Sequence, residues 1–267
     1  MTISHPSRIV CLTEETTETL YLLGEQDRIV GISGYTVRPP QARREKPKIS
    51  AFTSAKIDAI LDLKPDLVLG FSNLQGDIAR DLIKAGIEVY IFNQRSVDGI
   101  LRMVATLGAL IGAGDKAAQL VESLEQRVEM VRREAAAMPR RPRVYFEEWD
   151  QPMISAIGWV SELIGIAGGE DCFTELGRQS LAGGRIIADS EEVVRRAPDI
   201  IIGSWCGKKF RPEQVMARPG WSAIPAVAHG QVFEIKSPLI LQPGPAALTD
   251  GLDELARIVR QWAGHNA

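Results

Sequence analysis

The sequence predicts an α/β protein made of two Rossmann-like lobes with mainly parallel sheets, joined by a single long α-helix, with a ligand cleft between the lobes. Three observations carry this. From Ser96 to Met138 apolar residues recur every three or four positions, and no proline interrupts until Pro139. The segment Asp58-Ala-Ile-Leu-Asp-Leu-Lys-Pro-Asp-Leu-Val-Leu-Gly70 before that stretch is echoed after it by Glu191-Glu-Val-Val-Arg-Arg-Ala-Pro-Asp-Ile-Ile-Ile-Gly203. On both sides, short aliphatic runs alternate with amphipathic ones, as in parallel sheets covered by helices.

The central stretch divides in two. Val97, Ile100, Leu101, Val104, Leu107 and Ile111 form one stripe; Leu120, Val121, Leu124, Val128, Val131 and Ala135 form a longer one. That period belongs to amphipathic helices. Gly112-Ala113-Gly114-Asp115 between them reads as a glycine stop followed by an Asp N-cap. A helix from Lys116 to Met138 spans about 35 Å, enough to tie two lobes together. The organisation expected is an N-terminal lobe over 1–95, a helical segment over 96–139 and a C-terminal lobe over 140–267.

The echo has a physical sense: a helix ends before Pro, the chain turns, and a buried strand follows. A second pair supports it, because Cys11-Leu-Thr-Glu14-Glu15 matches Val144-Tyr-Phe-Glu147-Glu148. In the first lobe the expected elements are strand Arg8–Thr13, helix Thr16–Leu23, strand Arg28–Ser33, helix Ala55–Leu63, strand Leu67–Gly70, helix Asp77–Ala85 and strand Val89–Phe92. Gly34 to Ser50, with Pro39, Pro40 and Pro47, is expected to be largely irregular. In the second lobe they are strand Val144–Glu147, helices Val160–Ala167 and Ser190–Arg196, and strand Ile200–Gly203. A long loop to Gly230 carries a short helix near Pro212–Ala217. Strand Val232–Ile235 and a closing helix Ala246–Ala263 follow, the helix with Leu248, Leu252, Leu255, Val259 and Trp262 inward.

Composition narrows the function. Hydrophobic residues at 45% and charged residues at 24% are ordinary for a globular protein, and a net charge of −3 offers no electrostatic footprint for nucleic acid. Cys11, Cys172 and Cys206 lack the spacing of a zinc site or a disulfide framework. No apolar run approaches the roughly 20 residues of a membrane helix, so no membrane insertion is expected. The N-terminus shows no positive n-region or apolar h-region. The location expected is therefore cytoplasmic, or periplasmic if a leader has been removed.

Ligands of open α/β sheets bind beyond the carboxyl ends of the strands. In the first lobe the residues there are Glu14, Glu15, Thr16, Tyr35 and Asn73, with Phe52 from a loop. In the second they are Glu147, Glu148, Trp149, Trp205, Pro238 and Leu239, with Trp159 from a loop. Aromatic rings offer large flat contacts with little rotamer entropy to lose. Paired glutamates suggest acid–base chemistry or a hard-cation site. No histidine or lysine stands near to activate a serine, however, and no metal spacing appears, so neither catalytic nor metal-binding residues are expected. An acidic, aromatic cleft should disfavour anions.

Several of these segments resemble a known family. Arg8-Ile-Val-Cys-Leu, Thr17-Glu18, Leu23-Gly24 and Asp27-Arg-Ile-Val-Gly-Ile-Ser resemble the opening of the substrate-binding proteins of cobalamin and iron-siderophore ABC importers. So do the two Pro-Asp segments above and Leu163 to Phe173 with its Ala-Gly-Gly. The likeness runs from Arg8 to Trp262, and Tyr35 followed by Pro39 looks more like the cobalamin branch. It implies a non-enzymatic binding protein that takes a small-molecule ligand, a corrinoid-like or metal-chelate compound, with no cofactor of its own. It also implies an ABC transporter permease as partner, docked through one acid on each lobe; the matching positions are Asp58 and Glu191. The sequence departs from the family at Glu14, where proline is usual, and at Gly244-Pro245-Ala246, where arginine often follows the proline. The alternative is a chelatase-like or corrinoid-processing enzyme that uses the glutamates.

Overall fold

The computed structural model describes residues 4–265. The chain packs as two compact units: one runs through Gln94 and adds Asp98–Glu125, the other takes Arg95–Val97 and everything from Gln126 onward. The chain therefore visits the second unit briefly at Arg95–Val97 and passes to it for good inside one helix.

In the first unit, the aliphatic run after Arg8 forms β1 (Ile9–Cys11), buried at every position. Helix α1 (Glu14–Leu22) starts two residues earlier than expected, because extended Thr13 already turns the chain and both glutamates enter the first helical turn. Carboxylates are favoured there by the positive end of the helix. Next come β2 (Ile29–Ser33), α2 (Pro40–Glu45) and β3 (Lys48–Ser50). The last two correct the expectation of an irregular stretch. Pro40 sits at a helix start, where its missing N–H costs nothing. Past Pro47, β3 adds a parallel edge strand to β2 and buries Ile49.

Helix α3 (Ile57–Asp62), β4 (Leu67–Phe71), α4 (Gly76–Lys84) and β5 (Val89–Phe92) complete an all-parallel sheet of order β3-β2-β1-β4-β5. Val10, Leu12, Ile49, Ile60, Val68, Ile78 and Leu82 fill the core on one face. The strand order reverses direction at β1 and β4, so the chain runs outward from the centre on both sides. Helices α5 (Val97–Leu110) and α6 (Gly114–Ala136) follow, separated by Gly112 at φ +71, the left-handed backbone that stops a helix. Ile100, Val104, Leu107 and Ile111 are all fully buried along α5 and its end. On α6, Leu124 is buried in the first unit and Val128 and Val131 in the second.

The second unit opens with β6 (Arg143–Asp150), three residues longer at its end than expected, because it folds back on β7 (Met153–Ser155) as an antiparallel pair. Glu147, Glu148 and Trp149 thus lie within a strand rather than after one. Helix α7 (Gly158–Ile166) follows, with Trp159 in its first turn instead of a loop. Then come β8 (Glu170–Asp171), α8 (Thr174–Gly177), α9 (Glu191–Arg196), β9 (Ile200–Gly203), α10 (Pro212–Met216), α11 (Pro225–Ala228) and β10 (Val232–Glu234). The sheet order is β10-β9-β6-β7, with β8 also pairing β6; all pairs but β6–β7 are parallel. Tyr145, Phe173, Val193, Ile201, Phe210 and Trp221 anchor its core.

Helix α12 (Ser237–Ile240) leads through one π-helical turn, Ala247–Gly251, to α13 (Leu252–His265). Only glycine fits at 251, since a Cβ there would lie 2.3 Å from the Leu239 carbonyl oxygen. The inward stripe on this closing segment is as the sequence predicts: Leu248, Leu252, Leu255, Val259 and Trp262 are buried.

Candidate functional site

The parallel strands of the first unit end along one edge, and the reversal between β1 and β4 makes that edge the natural binding crevice of the sheet. Its loops carry an apolar rim. Tyr35, just past β2, is 63% exposed; Val37 and Leu74 are exposed too, and Phe52 past β3 is half-buried. Exposed apolar side chains cost free energy in water, and these four all follow the carboxyl ends of β2, β3 and β4. The loops beneath are braced. The Gln75 amide accepts from the Phe71 N–H at 3.0 Å and donates to the Phe52 carbonyl at 2.8 Å, linking the ends of β4 and β3. Ser72 holds φ +77, and its Oγ accepts from the Leu74 N–H at 3.3 Å, which turns Asn73 and Leu74 outward into solvent. A strained residue at a crevice needs such support.

Glu14, Glu15 and Thr16 sit beneath this rim and are buried. The Thr16 hydroxyl donates to the Thr13 carbonyl at 3.2 Å, and Glu15 Oε1 accepts from Thr13 Oγ1 at 2.6 Å. Glu14 Oε1 accepts from the backbone N–H groups of Val37 (3.3 Å) and Arg38 (2.9 Å). Burial pushes the Glu14 carboxyl up to about 8, with Glu18 and Glu15 adding to the rise and the two N–H bonds opposing it. Near neutral pH this acid is mostly uncharged.

In the second unit Glu147 and Glu148 are each paired with an arginine. Glu147 is fully buried and accepts from Arg218 Nη2 (2.9 Å), Trp205 Nε1 (3.0 Å) and Tyr145 Oη (2.8 Å). Glu148 is held in a fork by Arg185, at 2.6 and 3.1 Å, and that arginine is 1% exposed. The expectation of an acidic surface that repels anions is corrected here: two of the four acids carry arginine partners, and Glu14 is held largely protonated. Nothing in the spacing of the sequence signals these arginines, which lie 37 and 71 residues from their carboxylates.

The tryptophans divide likewise. Trp159 is buried in α7 and donates to the Ile240 carbonyl at 2.8 Å, so it locks α7 to α12. Trp205, two residues past β9, is buried against Phe210 at 4.9 Å between ring centroids. Trp149 is half-buried and packs on the same core. The Lys208 ammonium lies 5.5 Å from the Trp149 ring and 4.9 Å from that of Trp205, and it bonds Asp150 at 2.6 Å. Pro238 and Leu239 are half-buried in α12, past the end of β10. A cavity of about 290 Å³ opens among Arg95, Gly158, Ser161, Glu162, Thr174 and Arg178, where Glu162 also accepts from the Val97 N–H at 2.7 Å. It suits a small polar group rather than a macrocycle.

Asp58 and Glu191 are exposed, the first in the opening turn of α3 and the second at the start of α9; neither forms an ion pair among the described residues. Val37 and Leu74 escaped the sequence reading. The signal was faint: single apolar residues in short polar or proline-flanked loops. Among the described residues no three His, Cys, Asp or Glu side chains are grouped to hold a metal ion, and no helix is long and apolar enough to cross a membrane.

These two α/β units have known counterparts. The family described as periplasmic binding protein matches residues 9–239. The chain belongs to the periplasmic binding protein family. This binding protein is 26% identical over 95% of its length to an uncharacterized ABC transporter substrate-binding lipoprotein, YvrC, of Bacillus subtilis, and spans 80% of that relative. It is 27% identical over 91% of its length to a cobalamin-binding protein of Halobacterium salinarum, and spans 66% of it. The periplasmic heme-binding protein RhuT from Roseiflexus sp. RS-1 shares its fold, with a TM-score of 0.84, 21% identity and coverage of 98% of this chain and 100% of the other. Membership makes it a non-enzymatic binding protein and sets the chelatase-like alternative aside.

Proposed function

We propose that this binding protein is the substrate-binding subunit of an ABC importer and that its ligand is a corrinoid or a similar large, flat metal chelate. The observation that carries the ligand class is the apolar rim of Tyr35, Val37, Phe52 and Leu74 at the carboxyl edge of the first sheet. A rim of this kind matches a ligand with extended apolar faces, such as a tetrapyrrole ring system, better than a small hydrophilic chelate, which needs converging polar groups. The cobalamin-binding relative supports the same class. The lipoprotein relative supports a site of action outside the cytoplasmic membrane rather than the cytoplasmic location first expected.

The test is a thermal-shift panel of cyanocobalamin, haemin, ferric siderophores and bare divalent metals. A ligand at 100 times its Kd adds about 2.7 kcal/mol to the stability of a native state that alone binds it, a rise of about 5 °C or more here. The expected result is a shift with cyanocobalamin or haemin and none with bare metals. Shifts with hydrophilic siderophores alone would overturn the ligand class.

A further inference from the structure

Two glutamates on the inner face of α1 face the loop that carries the apolar rim. Glu14 Oε1 takes the backbone N–H groups of both Val37 and Arg38, at 3.3 and 2.9 Å. One turn on, Glu18 Oε1 takes the Arg38 Nε at 3.0 Å. Both carboxyls are buried. The loop lies between β2 and α2, and the sheet partner β3 serves its start, where the Ser50 carbonyl accepts from the Gly34 N–H at 2.7 Å. For the Val37 N–H, Glu14 is the one acceptor found among the described residues. The loop's carbonyl groups are held separately, since Arg43 Nη1 donates to Gly34 O at 2.8 Å and to Thr36 O at 3.2 Å.

We infer that Glu14 and Glu18 are positioning residues that clamp the loop at Val37 and Arg38, Glu14 through the two backbone N–H groups and Glu18 through the Arg38 side chain, and so set how Tyr35 and Val37 are presented to the ligand. The inference rests on the reading above, in which that rim meets the ligand. The physical logic is preorganisation. An exposed aromatic on a slack loop must lose backbone freedom on binding, whereas one on a clamped loop has lost it on folding. N–H groups partly shielded from water still need acceptors, and beyond Gly34 a side chain reaching from α1 supplies one where the ladder ends. Glu14 faces Glu15 and Glu18 on its own helix and Arg38 across the gap, and burial holds its carboxyl up to about 8. A neutral amide of the same length therefore keeps the geometry: a glutamine Oε1 still accepts both N–H groups.

The experiment compares the full chain with Glu14→Ala, Glu14→Gln and Glu18→Ala. Amide hydrogen exchange is followed at Val37 and Arg38, with β6 as the control for an intact fold, and cyanocobalamin and haemin are titrated in parallel. Expected are exchange at those two amides raised at least tenfold in Glu14→Ala, near-native exchange in Glu14→Gln, and an intermediate rise in Glu18→Ala. Whichever compound binds the native chain should lose at least fivefold in affinity to Glu14→Ala and be restored by Glu14→Gln. Unchanged exchange in Glu14→Ala overturns the clamp. Raised exchange with unchanged affinity for a compound the native chain binds overturns its role in presentation. If Glu14→Ala does not fold, native-like exchange and affinity in Glu18→Ala together with loss of both in Glu14→Gln would equally overturn it. If neither compound binds the native chain, the ligand reading fails on its own, and the exchange data alone decide the clamp.

Discussion

Arg218 closes on Glu147 with both arms of its guanidinium, Nη2 on Oε1 at 2.9 Å and Nη1 on Oε2 at 2.5 Å, across 71 residues of chain. Trp205 and Tyr145 complete the ring of donors around that fully buried carboxylate. An ion pair so placed fixes the middle of β6 to the loop after α10, and its partners cannot be removed singly without stranding a charge. Arg218→Ala is expected to cost about 3–5 kcal/mol, read from the denaturant midpoint of unfolding. A cost below about 1 kcal/mol would mean water reaches Glu147 and the pair is merely superficial.

Glu148 and Arg185 make the complementary case. Here the arginine is the deeper partner, so Glu148→Gln leaves a buried guanidinium short of its counter-charge. We expect a loss of stability of about 3 kcal/mol. The relative preference for ligands with and without carboxylates should move by less than about 0.5 kcal/mol, the usual scatter of changes remote from a contact. Titration calorimetry across ligand charge decides this. A large gain for carboxylate-bearing ligands in Glu148→Gln would show that the acid faces the ligand after all.

These two pairs explain what the sequence does and does not disclose. Periodicity locates α5, α6 and the inward face of α13, because one stripe of apolar residues is enough to define a buried face. The Pro-Asp echo locates β4 and β9 for the same local reason. Long-range pairing leaves no such trace: Glu147 reads as a free acid until Arg218 arrives from another loop, and β6 reads as short until β7 folds back on it. Proline misleads in the other direction. Pro40 and Pro47 suggest an irregular stretch, yet one begins α2 and the other precedes the edge strand β3. Tyr35 at the rim was legible from its place after a strand, whereas Leu74 depends on the turn that Ser72 makes.

The Glu14 carboxyl gives a pH signature. Its folded value, about 8, lies above the ordinary carboxyl range, so between the two the folded chain binds more protons than the unfolded one. Stability from this group is greatest below the unfolded value, falls as pH rises toward about 8, and is level above that. The slope is at most about 1.4 kcal/mol per pH unit. Unfolding free energies measured between pH 5 and pH 8 should decline less steeply in Glu14→Gln than in the native chain, since the amide does not titrate. Identical slopes in the two proteins would place the Glu14 carboxyl back in the normal range.

Tyr35 and Leu74 provide a cleaner separation of binding from folding. Tyr35 is 63% and Leu74 50% exposed, and neither belongs to the buried core, so truncation costs little packing. Tyr35→Ala and Leu74→Ala should each leave stability within about 0.5 kcal/mol. Each should weaken binding of the best compound in the panel by about 1–2 kcal/mol, the worth of a buried aromatic or aliphatic side chain. Unaltered affinity in both variants would move the ligand contact away from this edge.

Asp58 and Glu191 test the transporter side of the proposal. Each sits at the start of a short helix, where the positive helix end favours an acid without any partner. That local preference explains their position but not their lack of counter-ions. On a surface where Arg80, Arg195 and Arg257 all pair with acids one to six residues away, these two carboxylates stay unpaired among the described residues. An exposed acid outside any ion pair contributes ~0–1 kcal/mol to folding, so Asp58→Ala combined with Glu191→Ala should leave both stability and ligand affinity close to native. Association with a permease is a different matter, because complementary charge at a rim governs encounter rate and its salt dependence. The double variant should associate more slowly with the permease in vesicles, and the residual binding should respond less to added salt than that of the native chain. Retention of the native rate and salt dependence would remove these acids from the docking surface, while leaving the ligand-binding role untouched.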